Sequence, residues 1–221
     1  MSMSFARSTP RASAAPRREG RLTEWLLRSF ALLALAFVLA RWGYAWWQDP
    51  TRGTLLLLIV SEGYTLLLVL LARRAERRDL SIPAVAATLY AAGFMVLLSP
   101  ASTHAFAPEW AGAALQLAGL AWQFASKVAL GRSFGLLPAQ RGLVVRGPYR
   151  IVRHPIYLGY LIGHCGFLLV NASPRNAAVL ALLYVAQVVR MRREEAMLDD
   201  LQAEYRAYRR RVPYRLIPFV Y

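Results

Sequence analysis

The residues best suited to chemistry form two polar clusters at the ends of neighbouring apolar segments. The first cluster, at 153–157, contains an arginine, a histidine, a proline and a tyrosine at the start of one segment. The second cluster is Glu194 and Glu195, which follow the next segment. Only the short stretch 171–175 separates the two segments, so they should pair as a hairpin whose open ends are neighbours. We therefore expect one site that combines cations, a phenol and carboxylates.

The residue order in the first cluster indicates how it is held. Pro155 suits the first turn of a helix, where its missing N–H costs nothing. His154 should then be the N-cap, and Tyr157 should lie one turn further on. The N–H groups at such a helix start can bind a carboxylate or another anion. An alternative is that the arginines of this loop bind lipid phosphates.

The acidic pair has two interpretations. Successive residues of a helix point about 100° apart, so only one of Glu194 and Glu195 should face the site directly. Alternatively, the pair belongs to an ordinary charged helix segment and makes weak ion pairs with Arg190 or Arg192. The position of the pair opposite His154 favours the first interpretation.

The elements that position these clusters are predicted to be membrane helices. Of the 221 residues, 57% are hydrophobic. Six segments approach the roughly 20 apolar residues that cross a bilayer, at 24–47, 54–72, 82–99, 109–130, 154–171 and 174–190. The predicted fold is all-α, a polytopic membrane bundle of six transmembrane helices. Arginines concentrate in alternate connections and in both tails, which predicts a bacterial inner-membrane protein with both termini in the cytoplasm.

Both ends of the chain are predicted to lie outside the bundle. Residues 1–20, rich in Ser, Ala, Pro and Arg, should form a disordered basic tail, with a signal peptide as the rival interpretation. The rest, 21–221, is predicted to be one domain with four helices over 21–130 and a second part over 131–221. In that part, 191–212 carries an apolar stripe at three- and four-residue steps, which predicts an amphipathic surface helix.

Other polar residues in the apolar segments have more than one interpretation. Glu62 lies in the middle of the second segment, where a costly carboxylate indicates either a functional site or a polar packing cluster. Gln123 and Lys127 are its candidate partners. His164 and Cys165 supply two metal ligands, which is too few for a metal site.

Two broad classes of ligand are not indicated. The net charge is +15, but the arginines form short clusters between apolar runs, so we expect no nucleic-acid partner. The sequence contains neither a Gly-x-Gly-x-x-Gly fingerprint nor a Walker A motif. A soluble dinucleotide-binding fold is therefore not predicted.

The two clusters together match the motif of a known family. Residues Arg153-His-Pro-Ile-Tyr-Leu-Gly159, followed after the hairpin by Glu194-Glu195, resemble the Arg-His-Pro-x-Tyr-x-Gly … Glu-Glu pattern of the isoprenylcysteine carboxyl methyltransferase family. Related phospholipid methyltransferases share this pattern. The flanking stretches 143–149 and 204–213 agree with it, so that the resemblance covers 131–218.

The resemblance implies methyl transfer from S-adenosylmethionine to a lipophilic acceptor at the cytoplasmic membrane face. The acceptor atom could belong to a carboxylate, a hydroxyl, an amine or a thiol. Arg153 and Glu194 would act in catalysis or in substrate orientation, and Glu62 and His164 are assigned outside the motif as candidate substrate contacts. The implied cofactor contacts are His154, Tyr157, Glu195, Tyr149, Gly147, Val144, Pro138 and Leu137.

Two other functions stay open at this point. One is a membrane reductase that uses NADPH on a lipophilic substrate. The other is a lipid-binding membrane protein without enzymatic activity. The adjacent acids favour a sulfonium ligand over a nicotinamide, and a binding protein would not need His154 opposite a carboxylate across a hairpin.

Overall fold

The computed structural model describes residues 18–71, 79, 81–99, 104–130, 144–201 and 203–221. These residues form seven α-helices, a 3₁₀ turn at Gly147–Arg150 and no strand, so their all-helical character agrees with the prediction. The helices are α1 (Arg18–Gln48), α2 (Gly53–Leu71), α3 (Ile82–Leu97), α4 (Glu109–Leu130), α5 (Pro155–Val170), α6 (Pro174–Leu201) and α7 (Ala203–Arg211).

The prediction of a bundle of six membrane-spanning helices is wrong. Within the part of the chain that the structure describes, none of the helices combines the length with the apolar composition that a membrane crossing requires. Helices α3 and α5 contain 16 residues each. At 1.5 Å per residue they extend about 24 Å, against roughly 30 Å of bilayer hydrocarbon. Helix α4 has 22 residues but buries Gln116, Gln123 and Lys127. The cytoplasmic side predicted for both termini is not tested by these helices and stays a prediction.

The helix boundaries agree with the predicted segments to within a few residues, except near the two ends of the chain. Residues 1–17 of the predicted tail lie outside the described residues, while 18–20 are already part of α1. Helix α6 continues past 190 to Leu201, because 191–201 contains no glycine or proline to end it. The predicted separate helix over 191–212 is therefore wrong in its boundaries, and Glu194 and Glu195 are part of α6.

Helices α4 and α5 pack antiparallel with their backbones in contact. A Cβ added at Gly119 would lie 2.6 Å from the carbonyl oxygen of Gly159, and one added at Gly166 would lie 2.6 Å from that of Gly112. Only glycine permits such an approach, since it has no side chain. This contact places the start of α5 beside the end of α4.

The hydrophobic core joins α1, α2, α3, α5 and α6. At its centre, Trp42 of α1 and Phe167 of α5 are fully buried, and their ring centroids lie 5.6 Å apart. Leu55, Phe94 and Leu183 are buried in the same cluster. Each such side chain contributes about 1.5–3 kcal/mol on burial. The core fixes α5 and α6 against the other helices, and with them the open end of their hairpin.

A smaller cluster fixes the C-terminal segment beside that open end. Tyr205, Tyr208 and Val212 are buried against one another and against Leu198. These four residues belong to the apolar stripe predicted for 191–212. The stripe was therefore recognised correctly, although the helix that carries it is divided between α6 and α7.

Candidate functional site

The open end of the α5–α6 hairpin brings the two predicted polar clusters together. His154 is the N-cap of α5, and Pro155 is its first residue, as predicted. The Nε2 atom of His154 lies 3.1 Å from Oε1 of Glu195, and its Nδ1 atom lies 3.6 Å from Oε2 of Glu194. Both acids therefore reach His154, whereas only one was expected to face the site. Although successive residues diverge on a helix, these long side chains converge on the imidazole from either side.

Glu194 is the acid with access to solvent. Its side chain is 26% exposed, and its Oε1 atom accepts a hydrogen bond of 3.0 Å from the hydroxyl of Tyr157. Burial raises the pKa of Tyr157, and the lowering effect of nearby Arg190 does not reverse this. The phenol therefore stays protonated and donates to the carboxylate. The Tyr157 ring is stacked on His154 at a centroid distance of 5.7 Å.

Glu195 is enclosed by positive groups. Its side chain is 4% exposed, and its Oε2 atom accepts a hydrogen bond of 3.0 Å from Nε of Arg215. Nε of Arg153 lies 3.1 Å from Oε1, an ion-pair distance, although its N–H is not aligned for a hydrogen bond. Burial alone would raise the pKa of Glu195, but the hydrogen bonds and charges of His154, Arg215 and Arg153 outweigh it and lower the pKa. Glu195 is therefore an ionised carboxylate at neutral pH.

The C-terminal segment forms one wall of this site. The N–H of Arg153 donates to the carbonyl oxygen of Tyr214 at 2.9 Å, and the N–H of His154 donates to that of Arg215 at 2.8 Å. Arg215 is thus held by its backbone as well as by Glu195. Arg215 was not predicted as a site residue, because neither a periodic pattern nor the motif points to a residue that far along the chain.

The 3₁₀ turn before α5 forms a second wall. Gly147 begins this turn with a φ of +58°, a left-handed conformation that favours glycine. The carbonyl oxygen of buried Tyr149 accepts a hydrogen bond of 2.7 Å from the Tyr208 hydroxyl. Burial and then the charge of Glu194 raise the pKa of the Tyr149 phenol. Val144 lies at the approach to this turn, and Leu137 and Pro138 lie outside the described residues.

Of the two candidate substrate residues, only His164 has a described side chain, and it lies outside this cluster. The Glu62 side chain lies outside the described residues, so its proposed pairing is not described. Its candidate partners contact each other, since Nζ of Lys127 donates to Oε1 of Gln123 at 3.3 Å. His164 lies further along α5, where its Nδ1 atom is 2.8 Å from the Tyr184 hydroxyl.

The described residues form a helical protein with a cluster of polar side chains at the open end of a hairpin. Residues 108–204, somewhat less than half of the chain, match the model of the phospholipid methyltransferase family. This segment is therefore similar to that family, which includes the isoprenylcysteine carboxyl methyltransferases, and the resemblance seen in the motif is confirmed. No curated protein matches the chain.

The matched segment contains both polar clusters, whereas Arg215 and Glu62 lie outside it. The family that this segment matches consists of methyltransferases that act on lipid-type substrates. The roles predicted for the individual site residues stay predictions.

Proposed function

We propose that the protein transfers a methyl group from S-adenosylmethionine to a lipophilic acceptor at the open end of the α5–α6 hairpin. The observation that supports this most is the convergence of His154, Tyr157, Glu194 and Glu195 within a segment that matches a methyltransferase family. The proposal goes beyond the family in naming the cofactor and the site.

The side chains present fit the chemistry of this cofactor. Its ammonium group and ribose hydroxyls need acceptors, which a partly exposed carboxylate such as Glu194 provides. Its carboxylate needs cations or N–H donors, which Arg153 and the first turn of α5 provide. Its sulfonium suits the face of a tyrosine ring, and Tyr149 and Tyr157 both lie at the site. Every charged part of the cofactor thus has a counterpart among the described residues.

The difference in burial between Glu194 and Glu195 suggests a different role for each acid. Glu194 is partly exposed and is the carboxylate that can meet a ligand, while Glu195 is enclosed by two arginines and a histidine. The sequence assigned Glu195 to the cofactor and Glu194 to catalysis. We instead assign cofactor contact to Glu194, and to Glu195 the positioning of Arg153 and His154.

Most of the rate acceleration would come from positioning the acceptor atom relative to the methyl group. S-adenosylmethionine supplies a methyl group on a positively charged sulfur, and displacement requires the acceptor atom in line with that bond. A carboxylate acceptor needs no base, whereas a hydroxyl or an amine must lose a proton. His154, oriented by Glu195 at 3.1 Å, is the group placed to accept that proton.

The first test is a binding titration of the purified protein with S-adenosylmethionine, S-adenosylhomocysteine and NADPH in parallel. We expect saturable binding of the two adenosyl compounds and none of NADPH. Binding of NADPH alone would replace the proposal with a reductase. Binding of none of the three would replace it with a lipid-binding protein.

A matched pair of variants tests the site itself. Glu194→Gln removes the accessible carboxylate and should weaken S-adenosylmethionine binding about 10- to 100-fold, the usual value of a hydrogen bond to a charged group. Glu204→Gln makes the same change at an exposed position on α7 and should leave the affinity unchanged. Equal affinities of the two variants would place the cofactor elsewhere.

A further inference from the structure

A second polar site lies further along α5, in a cavity between α2, α4 and α5. The volume of this cavity is about 20 Å³. Its walls combine apolar and polar side chains, among them Leu58, Leu120, Gln116, Gln123, Tyr160 and His164. The cavity therefore has polar atoms that can bind one small polar group and apolar walls beside them.

Gln116 is the unusual residue of this cavity. It is 4% exposed, and neither its amide nitrogen nor its amide oxygen has a hydrogen-bond partner in the described structure. Buried polar groups nearly always have partners, because an unsatisfied group keeps its full desolvation cost. Gln116 therefore offers a donor and an acceptor to whatever enters the cavity.

The chemistry of the walls limits what can enter. Of the described side chains that line the cavity, none is an acid, a lysine or an arginine, and burial lowers the pKa of His164 to about 4, so that its imidazole is neutral. Lys127 does not line the cavity, and its Nζ donates to Gln123 and lies 5.1 Å from the centre of the Tyr160 ring. A space of about 20 Å³ admits one group of the size of a water molecule. A hydroxyl has this size, is uncharged, and both donates and accepts.

We propose that this cavity binds a hydroxyl group of the lipophilic acceptor, at a point distant from the atom that is methylated. His164 follows His154 by ten residues on the same helix, which corresponds to about 15 Å at 1.5 Å per residue. The reacting end of the acceptor would lie at the open end of the hairpin, and its apolar body would extend along α5 to the hydroxyl at Gln116. The inference rests on the proposed function for the identity of this ligand as the acceptor.

The test uses simple probes and no cofactor. Thermal unfolding of the purified protein is followed with 1-decanol, with its methyl ether and with decanoate. At about 100 times its Kd, decanol should raise Tm by about 5–10 °C, while the ether, which cannot donate, and the charged decanoate should have little effect. Equal shifts with decanol and the ether would overturn the proposal. No shift with decanol would mean that the cavity holds only a water molecule and would overturn it as well.

Two buried glutamines supply the matched variants. Gln116→Leu removes both unsatisfied atoms at similar volume, so it should raise Tm in the absence of probe and abolish the decanol shift. Gln187→Leu changes a glutamine of α6 that is 6% exposed, has an unsatisfied Oε1 atom and does not line this cavity, so it should keep the decanol shift. A decanol shift that survives in Gln116→Leu would refute the assignment. Because no cofactor is present, failure of S-adenosylmethionine to bind would not alter these results.

Discussion

Glu195→Gln should lower the free energy of unfolding, because it leaves the buried Arg153 without the charge of its ion-pair partner. The change keeps the size of the side chain and removes its charge. The Arg153 side chain is 7% exposed and cannot regain water, whereas Arg215 is 30% exposed and can. Removing one partner of a buried ion pair costs about 3–5 kcal/mol. Since only one of the two arginines stays buried without a partner, we expect the free energy of unfolding to fall by an amount near the lower end of this range, about 3 kcal/mol.

The assay is urea unfolding at pH 7, followed by the fluorescence of the six tryptophans. The double variant Arg153→Met/Glu195→Gln removes both charges and should recover most of the lost stability, since a buried pair can often be replaced by uncharged residues at little cost. A loss below about 0.5 kcal/mol in the single variant, or a double variant no more stable than the single one, would refute the reasoning.

The pH dependence of the same variant gives an independent check on the sign. The partners of Glu195 lower its pKa in the folded state below the ordinary value of 4.5. Its contribution to stability is therefore fully present above 4.5 and is lost as the pH falls through the lower folded value. The difference between wild type and Glu195→Gln should shrink in acid, and a difference that grows there would contradict the ionised state of Glu195.

Three further predictions follow from separate contacts. Gly119→Ala should lower the free energy of unfolding by about 1–3 kcal/mol, because its Cβ would lie 2.6 Å from two backbone atoms of α5, the oxygen of Gly159 and the nitrogen of Gly163. Gly163→Ala, whose Cβ would meet nothing within 4 Å, should raise it by about 0.5–1 kcal/mol, and equal effects in urea unfolding would contradict the packing of α4 on α5. Tyr157→Phe removes the donor to Glu194 and should weaken S-adenosylmethionine binding about 2- to 10-fold in a calorimetric titration, whereas an unchanged affinity would remove Tyr157 from the site. Burial lowers the pKa of His164 from 6.5 to about 4, so the unfolded state binds its proton more tightly and stability should fall by up to about 3 kcal/mol from pH 6.5 to 4. His164→Gln should lose this part of the slope, and an identical pH profile would show that His164 is not buried in its neutral form.

The parts of the site that could be predicted from the sequence are those determined by residues close to one another in the chain. A proline after His154 specifies the start of α5, and the short stretch 171–175 forces α5 and α6 to pair, so Glu194 and Glu195 had to arrive opposite His154. Arg215 could not be predicted in this way. It reaches Glu195 only because the chain after α7 turns back, so that its carbonyl groups accept hydrogen bonds from the N–H groups of 153–154, and such long-range pairing leaves no local pattern.

The fold shows the same division between local and long-range information. Apolar runs predicted where the helices lie, because periodicity and composition are local properties. They did not predict what the helices pack against. Gly112 and Gly119 are ordinary small residues in the sequence of α4, and only the structure shows that they meet the glycines of α5. An apolar segment that packs on another helix resembles one that crosses a bilayer, which is why the membrane-spanning bundle was predicted in error.

The adjacency of two carboxylates at the site has an electrostatic consequence for ligand choice. Two neighbouring acids would normally oppose each other's ionisation. Here Arg153 and Arg215 both contact Glu195, so its charge is compensated within the protein. Glu194, whose described partners are the Tyr157 phenol and His154, has no arginine against it in the described structure and is the acid available to a positive group of a ligand. A ligand that carries both a cation and a carboxylate, as S-adenosylmethionine does, finds a partly exposed anion and nearby positive groups at one end of one hairpin. A ligand with anionic phosphates alone would meet the same Glu194 as a repulsive group.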